Sequence, residues 1–223
     1  MTQPRLTRAI GGVILDMDGT LLDTESIYVR SYMQAAAELG HDLPHDFLHA
    51  MIGAPGPQFQ QQIRAKLGPD FPYAPHRTRY LELRTEFLAA GIALKPGVNE
   101  LLDAIDFMNL PKAIATAATR ENAESHLTQA GIRGRFSMVL TRDDVEHPKP
   151  RPDVFLAAAA AIGRDPADCI AVEDSVNGVR AAHAAGMMTI MVPDIAHPDA
   201  EIASLCVAVL TDLHEVRRLI WAS

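Results

Sequence analysis

Asp16 and Asp18 stand one residue apart at the end of an apolar run, Val13-Ile14-Leu15, and Gly19, Thr20, Leu21, Leu22, Asp23 and Thr24 follow. A buried strand ending in two acids delivers them to the crevice beyond its C-terminal edge, where open α/β sheets bind ligands. Positions two apart along a strand share a side, and Gly19 lets the backbone turn sharply. A second apolar run, Ile170-Ala171-Val172, ends the same way in Glu173-Asp174, with Ser175 placed to cap a following helix. Four carboxylates brought together repel one another unless positive charge sits between them. A hard divalent cation such as Mg²⁺ takes oxygen ligands. With a lysine beside it, such a site can accept a phosphoryl group.

Two further stretches have the residues for that task. Ile114-Ala115-Thr116-Ala117-Ala118 ends an apolar run before a helix. The Thr116 hydroxyl and the next amides, including that of Ala117, suit phosphate oxygens near a helix N-terminus. His147-Pro148-Lys149-Pro150-Arg151-Pro152-Asp153 is a stiff turn before another helix. Its prolines restrict the backbone and hold Lys149 in place, while Arg151 is expected to face solvent.

The elements that must position these residues alternate. Apolar runs at 10–16, 112–117, 137–141, 169–173, 187–192 and 207–210 read as strands, and segments near 121–130, 153–162, 176–185 and 212–221 read as helices. Val98, Leu101, Leu102, Ile105 and Met108 form a helical stripe after Lys95-Pro96-Gly97. Alternation of this kind implies a parallel sheet with helices on both faces. No strand pattern interrupts 25–92, where helical spacing covers Tyr28 to Leu39, 58–67 and about 75–90, with a loop at 53–57. This stretch is read as a helical insert. The expected organisation is a core of residues 1–24 and 93–223 with an insert of 25–92.

The chain has 223 residues, 48% of them hydrophobic and 22% charged, an ordinary globular balance, with a net charge of −8. That charge argues against a general nucleic-acid binder. Cys169 and Cys206 have no zinc spacing and make no disulfide framework. No signal-peptide core of useful length precedes Asp16, and no stretch is long and uncharged enough to span a bilayer. The expectation is a cytoplasmic protein without a membrane partner.

The string Asp16-Met17-Asp18-Gly19-Thr20-Leu21-Leu22-Asp23-Thr24, followed in order by Thr116, Lys149 and Glu173-Asp174, resembles the four motifs of the haloacid dehalogenase-like (HAD) phosphohydrolases over nearly the whole chain. The insert after the first motif is similar to the small helical cap of the β-phosphoglucomutase-like branch. The resemblance implies a Rossmann-like core with the first strand central. It makes Asp16 the nucleophile, carrying an aspartyl-phosphate, and Asp18 the acid and base. Thr116, Ala117 and Lys149 would hold the phosphoryl group. Mg²⁺ would be held by Asp16, the Asp18 carbonyl, Glu173 and Asp174. Gly19, Thr20 and Ser175 would support them, and the insert would close over the site and read the leaving group.

Asp18 also separates reactions within the family. Dehalogenases and phosphonatases of this fold lack that acid, so phosphate-ester chemistry on a small phosphorylated metabolite is favoured, with a sugar phosphate or phosphoglycolate as examples. The first alternative is a β-phosphoglucomutase-type mutase. Against it, Tyr28 stands where those enzymes carry histidine, loop 53–57 has no arginine, and Ala118 replaces a hydroxyl. Arg77, Arg79 and Arg84 remain in the insert as possible anion ligands. The alternative of another class is a catalytically silent binding module. A missing acid or lysine would mark it, and none is missing.

Overall fold

The computed structural model describes residues 6, 8–49, 51, 56–194 and 197–222. They fall into two compact units, Thr24–Ile92 and the residues either side of that segment.

The larger unit is built on six parallel strands: β1 (Gly12–Leu15), β2 (Lys112–Ala115), β3 (Met138–Leu140), β4 (Cys169–Glu173), β5 (Met188–Met191) and β6 (Ala208–Val209). Their order across the sheet is β3-β2-β1-β4-β5-β6, so the chain starts in the middle and winds outward to each edge in turn. Central parallel strands are covered on both faces, which is why they read as unbroken apolar runs rather than alternating ones. Every residue of β1, β4 and β5 is buried.

Helices follow the strands, as the alternation predicts. Val154, Phe155, Ala158 and Ala159 of one helix (Asp153–Ala161) and Ala181 and Ala182 of another (Val176–Ala184) pack against Ile14, Ala113, Ala115, Cys169 and Ala171. The alanines serve helix propensity and also let these helices approach the sheet closely. One helix escaped the pattern, Ala200–Ser204. It spans five residues, too few to display a periodic face.

Among its described residues the smaller unit has helices at Thr24–Glu38, His45–His49, Gly56–Leu67 and Tyr73–Ala89, joined by turns and loops, and no strand. The periodic spacing marks three of these, and the five-residue His45–His49 helix is again too short to register. Val29, Ala36, Leu43, Leu48, Ile63 and Phe71 form its core. Tyr32 stacks on Tyr80 at 3.8 Å between ring centroids. Residues 53–55 of the expected loop lie outside the described residues. No helix among the described residues is long and apolar enough to cross a membrane.

Candidate active site

The sheet order puts β1 between β2 and β4, so three of the four predicted stretches end side by side. Leu15 is in register with Ile114 on one side and Val172 on the other. One residue further, Asp16 donates its amide to the Val172 carbonyl at 3.0 Å. Asp16, Thr116 and Glu173-Asp174 therefore leave the sheet at one edge. The fourth stretch reaches the same place through its side chain. Lys149 Nζ donates to Asp16 Oδ1 at 2.5 Å, to Glu173 Oε1 at 2.6 Å and to the Ala115 carbonyl at 2.9 Å. The segment that carries Lys149 closes with an Arg151 amide bond to the Pro148 carbonyl at 3.0 Å and runs into the helix capped by Pro152. The Lys149–Pro150 peptide is cis. Arg151 is exposed, as expected.

Glu173 is fully buried, and both of its oxygens are used. Oε1 accepts from Lys149. Oε2 accepts from the Asp174 amide at 3.0 Å and from the Ser175 amide and hydroxyl at 2.9 Å each. Ser175 Oγ in turn accepts from the Gly178 amide, capping the helix at Val176. Asp174 Oδ1 accepts from the Thr20 hydroxyl at 3.0 Å. Gly19 has φ +83°, and a β-carbon there would stand 2.5 Å from Asp174 Oδ2, so both backbone and space require glycine. One carboxylate oxygen from each of Asp16, Glu173 and Asp174 lies within 4.8 Å of the others.

Asp18 and Thr116 stand differently. The Asp18 carboxylate is outside that three-acid group and faces His126, with 3.5 Å between Oδ1 and Nδ1. Thr116 is buried, and its hydroxyl accepts the Ala118 amide at 3.0 Å. The helix that follows starts at Arg120, capped by Thr119, so the Ala118 amide is turned onto Thr116 rather than into the helix mouth. Ala117 is exposed between them.

The family model for haloacid dehalogenase-like hydrolases matches residues 13–192. The chain belongs to that family. Fructose-1-phosphate phosphatase YqaB of Escherichia coli is 32% identical over 179 residues, covering 79% of this chain and 93% of its own. Hexitol phosphatase B of Escherichia coli is 32% identical over 200 residues, covering 83% and 85%. A HAD family hydrolase of Deinococcus radiodurans, solved with phosphate and sodium, superposes with a TM-score of 0.81 at 25% identity over 96% of both chains. The protein is thus a HAD phosphoric monoester hydrolase.

The charge balance of this hydrolase is set by burial. Burial pushes the Asp16 carboxyl up to about 8, Lys149 pulls it back, and Glu173 and Asp18 add to the rise. Burial likewise raises Asp174, helped by repulsion from Glu173 and Asp16. At Lys149 burial works against the charge, but Asp16 and Glu173 outweigh it and hold the ammonium above its ordinary range.

Three residues at the site gave no signal in the sequence. Phe155 lies under the Lys149 ammonium, 4.8 Å from Nζ to the ring centroid. His126 is the neighbour of Asp18. Gly178, the third residue of its helix, has no room for a side chain, because a β-carbon there would overlap the Glu173 carboxylate. Helix propensity alone favours alanine over glycine by about 0.5–1 kcal/mol. The packing reverses this, because Glu173 is tethered by Lys149, Ser175 and the Asp174 amide and cannot swing away. Gly178→Ala is expected to be destabilising by about 1–3 kcal/mol and to lower phosphatase activity, as read by thermal melting and phosphate release. Unchanged stability would show that Glu173 is free to move.

Among the arginines of the insert, Arg79 is taken up by Glu38, Glu82 and Glu86, at 2.6, 3.0 and 3.1 Å. Arg84 lies over the Tyr28 ring and donates to its hydroxyl at 3.2 Å. Arg79 is therefore neutralised where it stands, which weakens its expected role as an anion ligand.

Proposed function

We infer that this hydrolase is a Mg²⁺-dependent phosphatase of small phosphate monoesters, of the sugar phosphate or phosphoglycolate type, acting through an aspartyl-phosphate on Asp16. The observation that carries the reading is the Lys149 ammonium shared by Asp16 and Glu173 at 2.5 and 2.6 Å, with Asp174 beside them, at the C-terminal edge of the sheet. The names of the two phosphatase relatives favour a sugar phosphate.

The residues present fit a divalent cation. Three acids cluster around one ammonium that contacts two of them, Asp16 and Glu173, and burial lifts Asp16 and Asp174 out of the ordinary carboxylate range, so the cluster is short of positive charge. Its donors are all oxygen, the set that Mg²⁺ takes. Asp16, Asp174 and the Asp18 carbonyl would hold it, with Glu173 contributing through its position. When bound, it supplies charge that keeps Asp16 ionised and polarises the phosphoryl group.

The protein's own groups do the rest. Asp16 attacks phosphorus as the ester P–O bond breaks, and Asp18 gives a proton to the departing oxygen. Water then attacks the aspartyl-phosphate, loses its proton to Asp18 and releases phosphate. Lys149, Thr116 and the Ala117 amide stabilise the charge on the phosphoryl oxygens. Thr20 and Gly19 hold Asp174, and Ser175 holds Glu173. The helical unit, residues 25–92 by the sequence reading, takes the role of a cap that selects the leaving group.

The test is phosphate release across a panel of hexose phosphates, pentose phosphates and phosphoglycolate with Mg²⁺. Glucose 1-phosphate is followed in parallel for conversion to glucose 6-phosphate with a bisphosphate activator. Phosphate release supports the reading. Isomerisation without release would make the protein a mutase, and full activity in chelator would remove the metal.

A second measurement checks the charge balance. The folded Asp16 carboxyl stands at about 8 against an ordinary 3.8, so the metal-free fold holds this proton more tightly than the unfolded chain. Its contribution to stability is complete below about pH 4 and is lost as pH climbs toward 8. Mg²⁺ takes the proton's place, so the Mg²⁺-induced rise in Tm is expected to be larger at about pH 8 than at about pH 5. An equal rise at both would mean that the cluster does not exchange protons for the cation.

A further inference from the structure

We propose that His126 is the positioning residue for Asp18, holding its carboxylate in place for proton transfer to the leaving oxygen. The inference rests on the phosphatase reading above, in which Asp18 is the acid.

His126 sits in the last turn of the helix Arg120–Gln129 and is only 5% exposed. Its Nδ1 lies 3.5 Å from Asp18 Oδ1. Both atoms are shielded from solvent, and among the described residues neither has a hydrogen-bond partner. Buried polar groups are nearly always paired. Here an acceptor and a nitrogen able to donate face each other just beyond bonding distance. A small side-chain rotation joins them, with the imidazole hydrogen on Nδ1.

The surroundings make this contact decisive for Asp18. Its backbone is already tied down. The Gly19 amide donates to the Leu22 carbonyl at 2.9 Å, and the Leu21 and Leu22 amides donate to the Met17 carbonyl at 2.9 and 3.0 Å. What stays free is the side-chain torsion, and His126 is the group that faces it. Thr20, Ser175 and Lys149 each hold one of the other acids. Without His126, Asp18 is, among the described residues, the one acid of the four whose carboxylate has no such support. With Oδ1 held, Oδ2 is left to carry the proton. In the step concerned, the bond from Asp16 to phosphorus forms, the ester P–O bond breaks, and the Asp18 proton moves to the leaving oxygen.

The test uses the leaving group. kcat/KM covers the steps up to departure of the alcohol. An alkoxide needs the proton in order to leave, whereas p-nitrophenolate leaves without it. Purified full-length variants are assayed with Mg²⁺ on the alkyl phosphate hydrolysed fastest in the panel above and on p-nitrophenyl phosphate. His126→Leu is expected to lose on the order of 10-fold or more in kcat/KM on the alkyl ester, a part of the usual worth of a general acid. On the aryl ester it should stay within about twofold. The Asn amide nitrogen lies where Nδ1 does and the Gln nitrogen lies where Nε2 does, so His126→Asn should recover alkyl activity and His126→Gln should not. These two polar variants carry the comparison if His126→Leu does not fold.

Equal losses on both esters, or no loss on either, would overturn the role of His126. Asp18→Asn keeps the two readings apart. If it shows the alkyl-selective loss and the His126 variants do not, the positioning role alone fails. If Asp18→Asn shows no selectivity, the assignment of Asp18 as acid fails with it.

Discussion

Asp16→Asn is expected to reduce phosphate release by about ten-thousand-fold or more, the scale on which removal of a covalent nucleophile is felt, while the fold stays intact. An amide has the carboxylate's shape but neither its charge nor its nucleophilicity. Lys149 keeps Glu173 and the Ala115 carbonyl as partners, so the ammonium is not stranded. The stability effect should even be favourable without metal. Asp16 is buried among like charges, and burial already raises its carboxyl to about 8. A neutral side chain removes that strain at alkaline pH, so in chelator at about pH 8 the variant should melt no lower than the parent. Phosphate release and a thermal melt read both halves. Retained Mg²⁺-dependent turnover would remove Asp16 as the nucleophile.

Lys149→Met should act on stability as strongly as on activity. The side chain is 5% exposed and serves two buried acids that are 8% and 1% exposed. Removing one partner of a buried ion pair is destabilising by about 3–5 kcal/mol, because the charge left behind has neither water nor counter-ion. For a chain of this size that corresponds to roughly 10 °C in Tm. The loss should be greatest in chelator at alkaline pH, where the raised carboxyls of Asp16 and Asp174 give up their protons, and it should shrink on addition of Mg²⁺. Activity should fall as well, since Lys149 no longer offsets charge on the phosphoryl oxygens. A melt within about 2 °C of the parent would mean that the pair contributes little, as exposed pairs do. Lys149→Arg is no remedy. The ammonium fits a three-acceptor site formed by Asp16, Glu173 and the Ala115 carbonyl, and a guanidinium is larger and planar.

Much of this architecture was legible before any coordinates. The inner strands announced themselves because a central parallel strand must be apolar on both faces. The acids stood out because they interrupt such runs at one end. Lys149 was visible through the prolines around it. The helices of the smaller unit were visible because helical spacing persists from Tyr28 to about residue 90 without a strand. What stayed hidden shares one cause. His126 lies in a helix whose pattern is polar and unremarkable, and only the docking of that helix beside the first acidic loop gives it a neighbour. Gly178 reads as a weak spot in a helix until Glu173 is seen to occupy its missing side chain. Phe155 reads as core, and it is core, but Lys149 lies over its face. Arg79 looked available until Glu38, distant in sequence, closed on it beside Glu82 and Glu86.

The sequence carries the longer elements, their kind and which residues end them; the five-residue helices His45–His49 and Ala200–Ser204 are not in its pattern. Those properties follow from local periodicity and from the polarity of residues a few positions apart. Tertiary structure decided which of those ends become neighbours and what each polar atom is bonded to. Strand order brings the ends of β1, β2 and β4 together. The rotation of each helix on the sheet then assigns Glu173 to Lys149 and Ser175, Asp174 to Thr20, and Asp18 to His126. The physical reason is distance along the chain. Asp16 and Lys149 are 133 residues apart, and Thr20 and Asp174 are 154 apart. No local pattern encodes such pairings; they form only when burial of the sheet's two faces folds those segments onto one edge.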